Sequence, residues 1–189
     1  MFQIFYWQVF LLITAAWILV RAVCMIRHHK ADMAHEAYLL MVYVCLVVIA
    51  RIVYFPWHHV NGKIGQLIFN VHRLLPPNVN LIPLIHLGNV YDGWVMNIIG
   101  NVLMFVPVGI VWPVCFHKLD SIAKTVLAGA LLSILIEISQ LLFYQRCSDV
   151  DDVLLNTAGV LIGAILFFAI RKTLRKRGKQ GTESQVIKF

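Results

Sequence analysis

Long runs of hydrophobic residues dominate the sequence, and five of them are long enough to cross a lipid bilayer. A helix needs about 20 mostly apolar residues to span the hydrocarbon core. The five predicted spans cover about residues 4–25, 37–55, 94–116, 122–144 and 153–170. The pattern therefore predicts an all-α fold, a polytopic transmembrane bundle of about five helices.

These spans divide the chain into three parts. Residues 1–93 hold two N-terminal transmembrane helices and an external amphipathic connection, residues 94–171 a three-helix core, and residues 172–189 a basic tail. The first span is not expected to be a cleaved signal, since no Lys or Arg precedes it and no small-residue cleavage site follows it.

The connection between the second and third spans has a pattern of its own. Its apolar residues recur at helical spacing until Pro76 and Pro77, and they are Ile64, Leu67, Ile68, Val71, Leu74 and Leu75. This spacing predicts one external interfacial helix, which either covers a site or is a plain surface helix with a basic face. The apolar stretch 80–85 contains Pro83, and it could re-enter the membrane only if the protein buries it.

Composition supports an integral membrane protein. Hydrophobic residues make up 60% of the chain and charged residues 13%, and the mean hydropathy is +0.80. A soluble globular domain carries about a quarter charged residues, so that class and intrinsic disorder are both excluded. The net charge of +7 is concentrated largely in the tail after the last span. There it indicates contact with membrane lipids at the cytoplasmic face, and no nucleic-acid partner is expected.

The positive charges predict the orientation of the chain. With the C-terminus inside, the inner flanks collect twelve Lys and Arg residues, whereas the outer flanks hold three, Lys63, Arg73 and Arg146. Cytoplasmic flanks are normally the richer in Lys and Arg. We therefore predict a multi-pass protein of the bacterial cytoplasmic membrane with its N-terminus outside and its C-terminus in the cytoplasm. Both long and short connections, residues 56–93 and 145–150, are then external.

Polar residues inside the spans indicate where chemistry could occur, because each is costly in lipid and usually faces protein or water. With this orientation they reach a similar depth near the outer surface. Glu137 is the candidate catalytic residue. The candidate substrate-binding residues are Arg51, Asn97, Asn101, Gln140, Arg146, Asp149, Asp152 and Asn156. Ser133 lies one helical turn before Glu137 on the same face. The set predicts a polar chamber that opens outward.

Each member also has a structural interpretation. Arg51 and Glu137 are able to form a buried ion pair, Asn and Gln often join transmembrane helices, and Asp149 or Asp151 is placed to cap the fifth helix. Gly159 and Gly163 form a GxxxG face that favours close helix packing. Pro107 and Pro113 predict a kinked or partly unwound third span.

No metal or cofactor is predicted. The external histidines, His58, His59, His72 and His86, lack the HExxH spacing of a zinc protease. The aspartates of the 149–152 segment lack the glycine and the later Glu of an EF-hand calcium loop. The four cysteines show neither zinc spacing nor a disulfide framework.

Four motifs occur in a characteristic order. They are NVLMFVPVG at 101–109, SILIEISQ at 133–140, RCSDVDD at 146–152, and NTAG at 156–159 followed by Gly163. The motif NLIP at 80–83 precedes them. Together they resemble the VanZ-like family over roughly residues 80–163. The resemblance implies a bacterial polytopic membrane protein that lowers susceptibility to lipoglycopeptide antibiotics of the teicoplanin type.

Three functional hypotheses follow. In the first, the chamber engages an amphiphile, either a lipid-linked cell-wall precursor or the acyl tail of the lipoglycopeptide. In the second, the protein is an enzyme acting on a lipid-linked envelope substrate, with Glu137 as acid or base and Arg51 or Arg146 holding a phosphate. No nucleophile motif supports the enzyme. In the third, it is a small transporter or flippase, although no internal repeat is visible in the sequence.

Overall fold

Five long helices form the frame of the protein. The computed structural model describes residues 2–28, 33–55, 59–60, 63–69, 79–83, 94–144 and 146–186. The helices are α1 (Tyr6–His28), α2 (Met33–Tyr54), α3 (Trp94–Cys115), α4 (Ile122–Gln140) and α5 (Val150–Val186). Each is long and apolar enough to cross a membrane. The predicted all-α bundle with five transmembrane helices is therefore confirmed.

Short strands connect the helices at one end of the bundle. They are β1 (Phe2–Ile4), β2 (His59–Val60), β3 (Lys63–Ile64), β4 (Leu67–Phe69), β5 (Val79–Asn80) and β6 (Ser148–Asp149). They form three two-stranded pairs, β1 with β4, β2 with β3, and β5 with β6. The first two pairs are antiparallel and the third is parallel.

The prediction of an interfacial helix between the second and third spans is wrong for residues 63–69, which the structure describes as two short strands with a connection between them. β4 pairs with β1 at the start of the chain, with Phe69 opposite Phe2 and Leu67 opposite Ile4. A short apolar run fits a strand as well as a helix, and here the distant partner strand decides. Leu67 is almost completely buried in this arrangement. The remainder of the predicted helix, residues 70–75, lies outside the described residues.

The stretch 80–85, which could re-enter the membrane only if the protein buried it, is exposed at Leu81 and Ile82. Leu81 is 75% exposed and Ile82 61% exposed, so the burial that re-entry requires is missing at these positions. Asn80 is held beside β6 by strand pairing, and a turn follows it. Residues 84–85 lie outside the described residues.

The core of the bundle is the contact between α3 and α5. These helices make the most extensive contact in the fold, followed by α4 with α5. A Cβ added to Gly159 would overlap the carbonyl oxygen of Val102, and one added to Gly163 would overlap that of Val106. The two glycines therefore allow the backbones to approach closely, which is the packing role predicted from the GxxxG spacing.

Fully buried side chains fill the space beside this contact. Phe105 and Val108 of α3 pack with Val160 of α5. The cluster is completed by three further residues, Met104 of α3, Ile49 of α2 and Ile136 of α4. α3 remains a continuous helix through both internal prolines. The partial unwinding expected there is not seen, because a helix packed in a bundle can tolerate the loss of single backbone donors.

α1 lies at the edge of the bundle and contacts α2. The Arg21 guanidinium donates to the Glu36 carboxylate, with Nε 2.9 Å from Oε2. Thr14 and Tyr43 share a hydrogen bond of 2.8 Å between their hydroxyl groups. The α1 surface is otherwise largely exposed and apolar, as expected for a helix that faces lipid.

Candidate functional site

Hydrogen bonds join polar side chains from three helices and a strand pair at one end of the bundle. We call these seven residues the polar cluster. They are Asn80, Asn101, Ser133, Glu137, Asp149, Asp152 and Asn156. The cluster lies where α4 ends, where α5 begins and near the start of α3, so the structure brings together most of the predicted site residues.

Strand pairing forms the edge of the polar cluster. β5 and β6 are parallel, and this places Asn80 opposite Asp149 although 69 residues separate them. Asn80 Nδ2 donates to Asp149 Oδ1 at 3.0 Å. The same oxygen accepts from the backbone N–H of Asp151 at 2.9 Å. Asp149 therefore caps the N-terminus of α5, as the sequence suggested, and also anchors Asn80.

Glu137 is buried in the last turn of α4, where it is only 5% exposed. Its Oε2 accepts a hydrogen bond from the backbone N–H of Asp149 at 2.9 Å. One turn earlier, Ser133 Oγ accepts from Asn156 Nδ2 at 2.9 Å, and both of these side chains are buried. The two bonds connect the same face of α4 to the residue directly before α5 and to the second turn of α5.

Asp152 connects α5 to α3. Asn101 Nδ2 donates to Asp152 Oδ1 at 2.5 Å, and Asn97 lies one turn away with its Oδ1 3.5 Å from Asn101 Nδ2. Arg146, in the segment before α5, interacts electrostatically with the Asp152 carboxylate. Burial lowers the pKa of Arg146 and this carboxylate opposes the lowering, and a guanidinium remains protonated throughout.

Among the residues that the structure describes, two buried acceptor atoms on predicted site residues have no hydrogen-bond partner. They are Oδ1 of Asn156, which is 2% exposed, and Oε1 of Gln140, which is 5% exposed. Gln140 Nε2 donates to the Val53 carbonyl oxygen at 3.4 Å. An unsatisfied buried acceptor costs about 1–3 kcal/mol, so a ligand that brings N–H or O–H donors would be stabilised here.

The structure places Arg51 in the last turn of α2, beside the start of α1. Its Nη1 donates to the Phe55 carbonyl oxygen at 3.3 Å, and its guanidinium carbon lies 5.7 Å from the centroid of the Tyr6 ring. The predicted pairing of Arg51 with Glu137 has no counterpart in these contacts. Instead, α2 and α4 are joined by the hydrogen bond between the hydroxyl groups of Tyr54 and Ser139, together with the bond from Gln140 to Val53.

The sequence analysis did not select two members of the polar cluster as site residues: Ser133, which was noted only for sharing a face with Glu137, and Asn80. Asn80 lies outside every span, where a polar residue is unremarkable, and only the NLIP motif marked it. Within the described part of the chain, no group of three or more His, Cys, Asp or Glu side chains is arranged to hold a metal ion. The described side chains of the site supply carboxylates, amides, one hydroxyl and one guanidinium.

Known proteins agree with this arrangement of motifs. Residues 40–171, more than half of the chain, match the family model VanZ/LLP1. Protein VanZ of Enterococcus faecium is 29% identical over 110 residues, which are 58% of this chain and 63% of that protein. The match thus covers less than two thirds of that relative. No solved structure matches the chain. Because the family model extends from α2 into α5, the chain belongs to the VanZ/LLP1 family.

Proposed function

We propose that this protein lowers the susceptibility of its host to lipoglycopeptide antibiotics of the teicoplanin type. In this proposal it acts from the bacterial cytoplasmic membrane, with the polar cluster at the outer leaflet. The cluster engages either a lipid-linked cell-envelope component or the antibiotic. Membership of the VanZ/LLP1 family supports the proposal. The resemblance of the sequence motifs to the VanZ-like family implies this phenotype.

The observation that carries the proposal is the hydrogen-bonded polar cluster itself. Its members belong to the same motifs that carry the family resemblance, including Asn101, Glu137 and Asn156. Buried carboxylates and amides are expensive inside a membrane protein and usually serve a site. In the structural alternative, these groups only join helices. A variant such as Glu137→Gln, which keeps the hydrogen-bond acceptor but loses the charge, should then retain its effect on antibiotic susceptibility.

The chemistry of the polar cluster favours a ligand rich in hydrogen-bond donors. Three carboxylates lie in the polar cluster with three side-chain amides, and these residues are Glu137, Asp149, Asp152, Asn80, Asn101 and Asn156. Unpaired amide oxygens add further acceptors. A sugar or peptide head group supplies hydroxyl, amide and amine donors. The head group of a lipid-linked precursor therefore fits the cluster itself, whereas an acyl tail fits the apolar helix surfaces around it.

The test measures teicoplanin susceptibility in a sensitive bacterium that produces the protein. The Glu137→Gln variant keeps the size of the side chain and an acceptor oxygen but removes the charge. We expect the parent protein to raise the minimal inhibitory concentration and Glu137→Gln to abolish that increase at equal membrane abundance. Asp120→Asn is the matched control, because it removes an exposed carboxylate at the other end of the bundle.

Two results would contradict the proposal. If the parent protein leaves susceptibility unchanged, the phenotype is absent. If Glu137→Gln protects as well as the parent, the carboxylate is not part of the site.

An enzyme acting on a lipid-linked envelope substrate is the second candidate, and burial of Glu137 favours it. A desolvated carboxylate is suited to proton transfer. Purified protein in liposomes containing a labelled lipid-linked precursor separates the alternatives. Chemical turnover that Glu137→Gln abolishes indicates the enzyme, whereas movement of unchanged lipid between leaflets indicates a transporter or flippase.

A further inference from the structure

A groove lies between α3 and α5 at the end of the bundle opposite to the polar cluster. Its volume is about 480 Å³. The floor is apolar and includes Ile110 and Pro113 of α3 with Phe167 and Ile170 of α5. Basic side chains line its mouth. We call this feature the basic groove.

The packing of α3 against α5 explains why the groove forms. The helices approach closely at Gly109 and Gly163, where an added Cβ would overlap backbone atoms. Beyond this point larger side chains such as Phe167 replace the glycines on α5. α3 then ends at Cys115, whereas α5 continues to Val186. Ile170 is 59% exposed as a result, so the apolar floor continues onto an uncovered helix surface.

The mouth of the basic groove is positively charged. Arg171 and Arg175 lie one helical turn apart on α5, and both line the groove. The one carboxylate in the lining, Asp120, forms an ion pair with Lys124 at 2.8 Å. Its hydrogen bond with Lys124 holds the pKa of Asp120 below its usual value. Asp120 is therefore charge-compensated, and the two arginines carry an excess of positive charge at the rim.

We propose that the basic groove binds one anionic phospholipid. The lipid phosphate lies between Arg171 and Arg175, and one acyl chain follows the floor along Ile110, Phe167 and Ile170. Basic pockets between transmembrane helices on the cytoplasmic side suit acidic head groups. Guanidinium groups match the geometry of a phosphate. The apolar floor suits the chain of a lipid and has no use in binding a free anion. This site is separate from the polar cluster and does not depend on the proposed function.

The experiment compares lipids on the unmodified protein purified in a neutral detergent. Native mass spectrometry counts bound phosphatidylglycerol and phosphatidylcholine with identical acyl chains. We expect one phosphatidylglycerol to bind at least about tenfold more tightly than phosphatidylcholine. Inorganic phosphate at the same concentration should not compete. Equal binding of the two lipids, or displacement by inorganic phosphate alone, overturns the proposal.

A pair of charge-matched variants locates the lipid. Arg171→Gln with Arg175→Gln removes two cations from the groove, whereas Lys172→Gln with Lys176→Gln removes two from the same turns of α5 outside the groove lining. The arginine variant should lose the preference for phosphatidylglycerol and the lysine variant should keep it. If both lose it equally, the net charge of α5 and not the groove determines binding, and the proposal fails.

A third variant keeps the test decisive if the arginine variant does not fold. Ile170→Trp keeps both arginines and fills the groove floor with a larger side chain. We expect it to reduce the occupancy of phosphatidylglycerol at least about tenfold. Unchanged occupancy of phosphatidylglycerol in this variant overturns the proposal that an acyl chain binds along the groove floor.

Discussion

The Glu137 carboxylate accepts a hydrogen bond from the backbone N–H of Asp149 at 2.9 Å, and this bond ties the end of α4 to the start of α5. The partner is a backbone group, which any substitution at position 149 other than proline retains. The structural role of Glu137 is therefore that of a hydrogen-bond acceptor, which a neutral side chain can also fill.

This relationship predicts different outcomes for two variants of Glu137. Glu137→Gln retains an oxygen that can accept from the Asp149 amide, so its stability should be close to that of the parent. Glu137→Ala leaves that amide unpaired in a buried region and should lower the free energy of unfolding by about 1–3 kcal/mol. Thermal unfolding of the purified proteins in detergent measures both. Equal melting temperatures for the alanine variant and the parent would contradict the assigned bond.

Capping predicts the order of effects at Asp149. The side chain accepts from the Asp151 N–H and from Asn80. Asparagine can accept both bonds, so Asp149→Asn should be nearly silent, whereas Asp149→Ala should cost about 1 kcal/mol. Thermal stability and teicoplanin susceptibility at equal abundance provide the two measurements. A strong loss of resistance in Asp149→Asn would instead assign the charge of Asp149 to the ligand.

Charge matters more at Asp152, because Arg146 interacts with its carboxylate. Asp152→Asn retains an acceptor for Asn101 but loses this attraction, so it should reduce stability or resistance more than Asp149→Asn. A double-mutant cycle with Arg146→Gln isolates the pair, and we expect a coupling of about 0.5–3 kcal/mol. Additive effects within about 0.3 kcal/mol would show that the two residues act independently.

Close packing predicts opposite effects of alanine at two glycines. Gly163→Ala places a Cβ against the Val106 carbonyl oxygen and should destabilise the protein by about 1–3 kcal/mol. Gly163 lies in α5, whereas Gly100 lies in α3 and has no neighbouring atom within 4 Å of an added Cβ. Gly100→Ala should therefore stabilise the protein by up to about 1 kcal/mol, because alanine favours the helix. Melting temperatures in detergent check both, and a stabilised Gly163→Ala variant would refute the packing.

The orientation of the chain is testable in intact cells. Cys147 is exposed in the segment before α5. A membrane-impermeant thiol reagent should label it from outside, and Cys147→Ser should remove the labelling. A cysteine introduced at Gly181 in the Cys147→Ser background should react only after the cells are opened. Labelling of position 181 in intact cells would reverse the predicted topology.

Hydrophobic length alone determined the number and approximate position of the transmembrane helices. A bilayer requires each crossing segment to satisfy its own backbone, so a run of about 20 apolar residues has few alternatives to a helix. The sequence also predicted close helix packing at Gly159 and Gly163, because only a residue without a Cβ allows two helix backbones to approach so closely. The sequence also marked Glu137 and Asn156, whose polarity is conspicuous inside apolar runs, and Asp152, which directly precedes the fifth run.

Tertiary structure decided which of these polar residues meet. Strand pairing between β5 and β6 brings Asn80 to Asp149. Pairing with β1 makes residues 67–69 a strand, although apolar residues in that segment recur at helical spacing. Arg51 shares the predicted depth of Glu137, yet its contacts are with Tyr6 and Phe55. Depth follows from counting residues along one helix, whereas partners depend on how helices rotate and pack against each other. That rotation is set by contacts between distant segments, which no local pattern records.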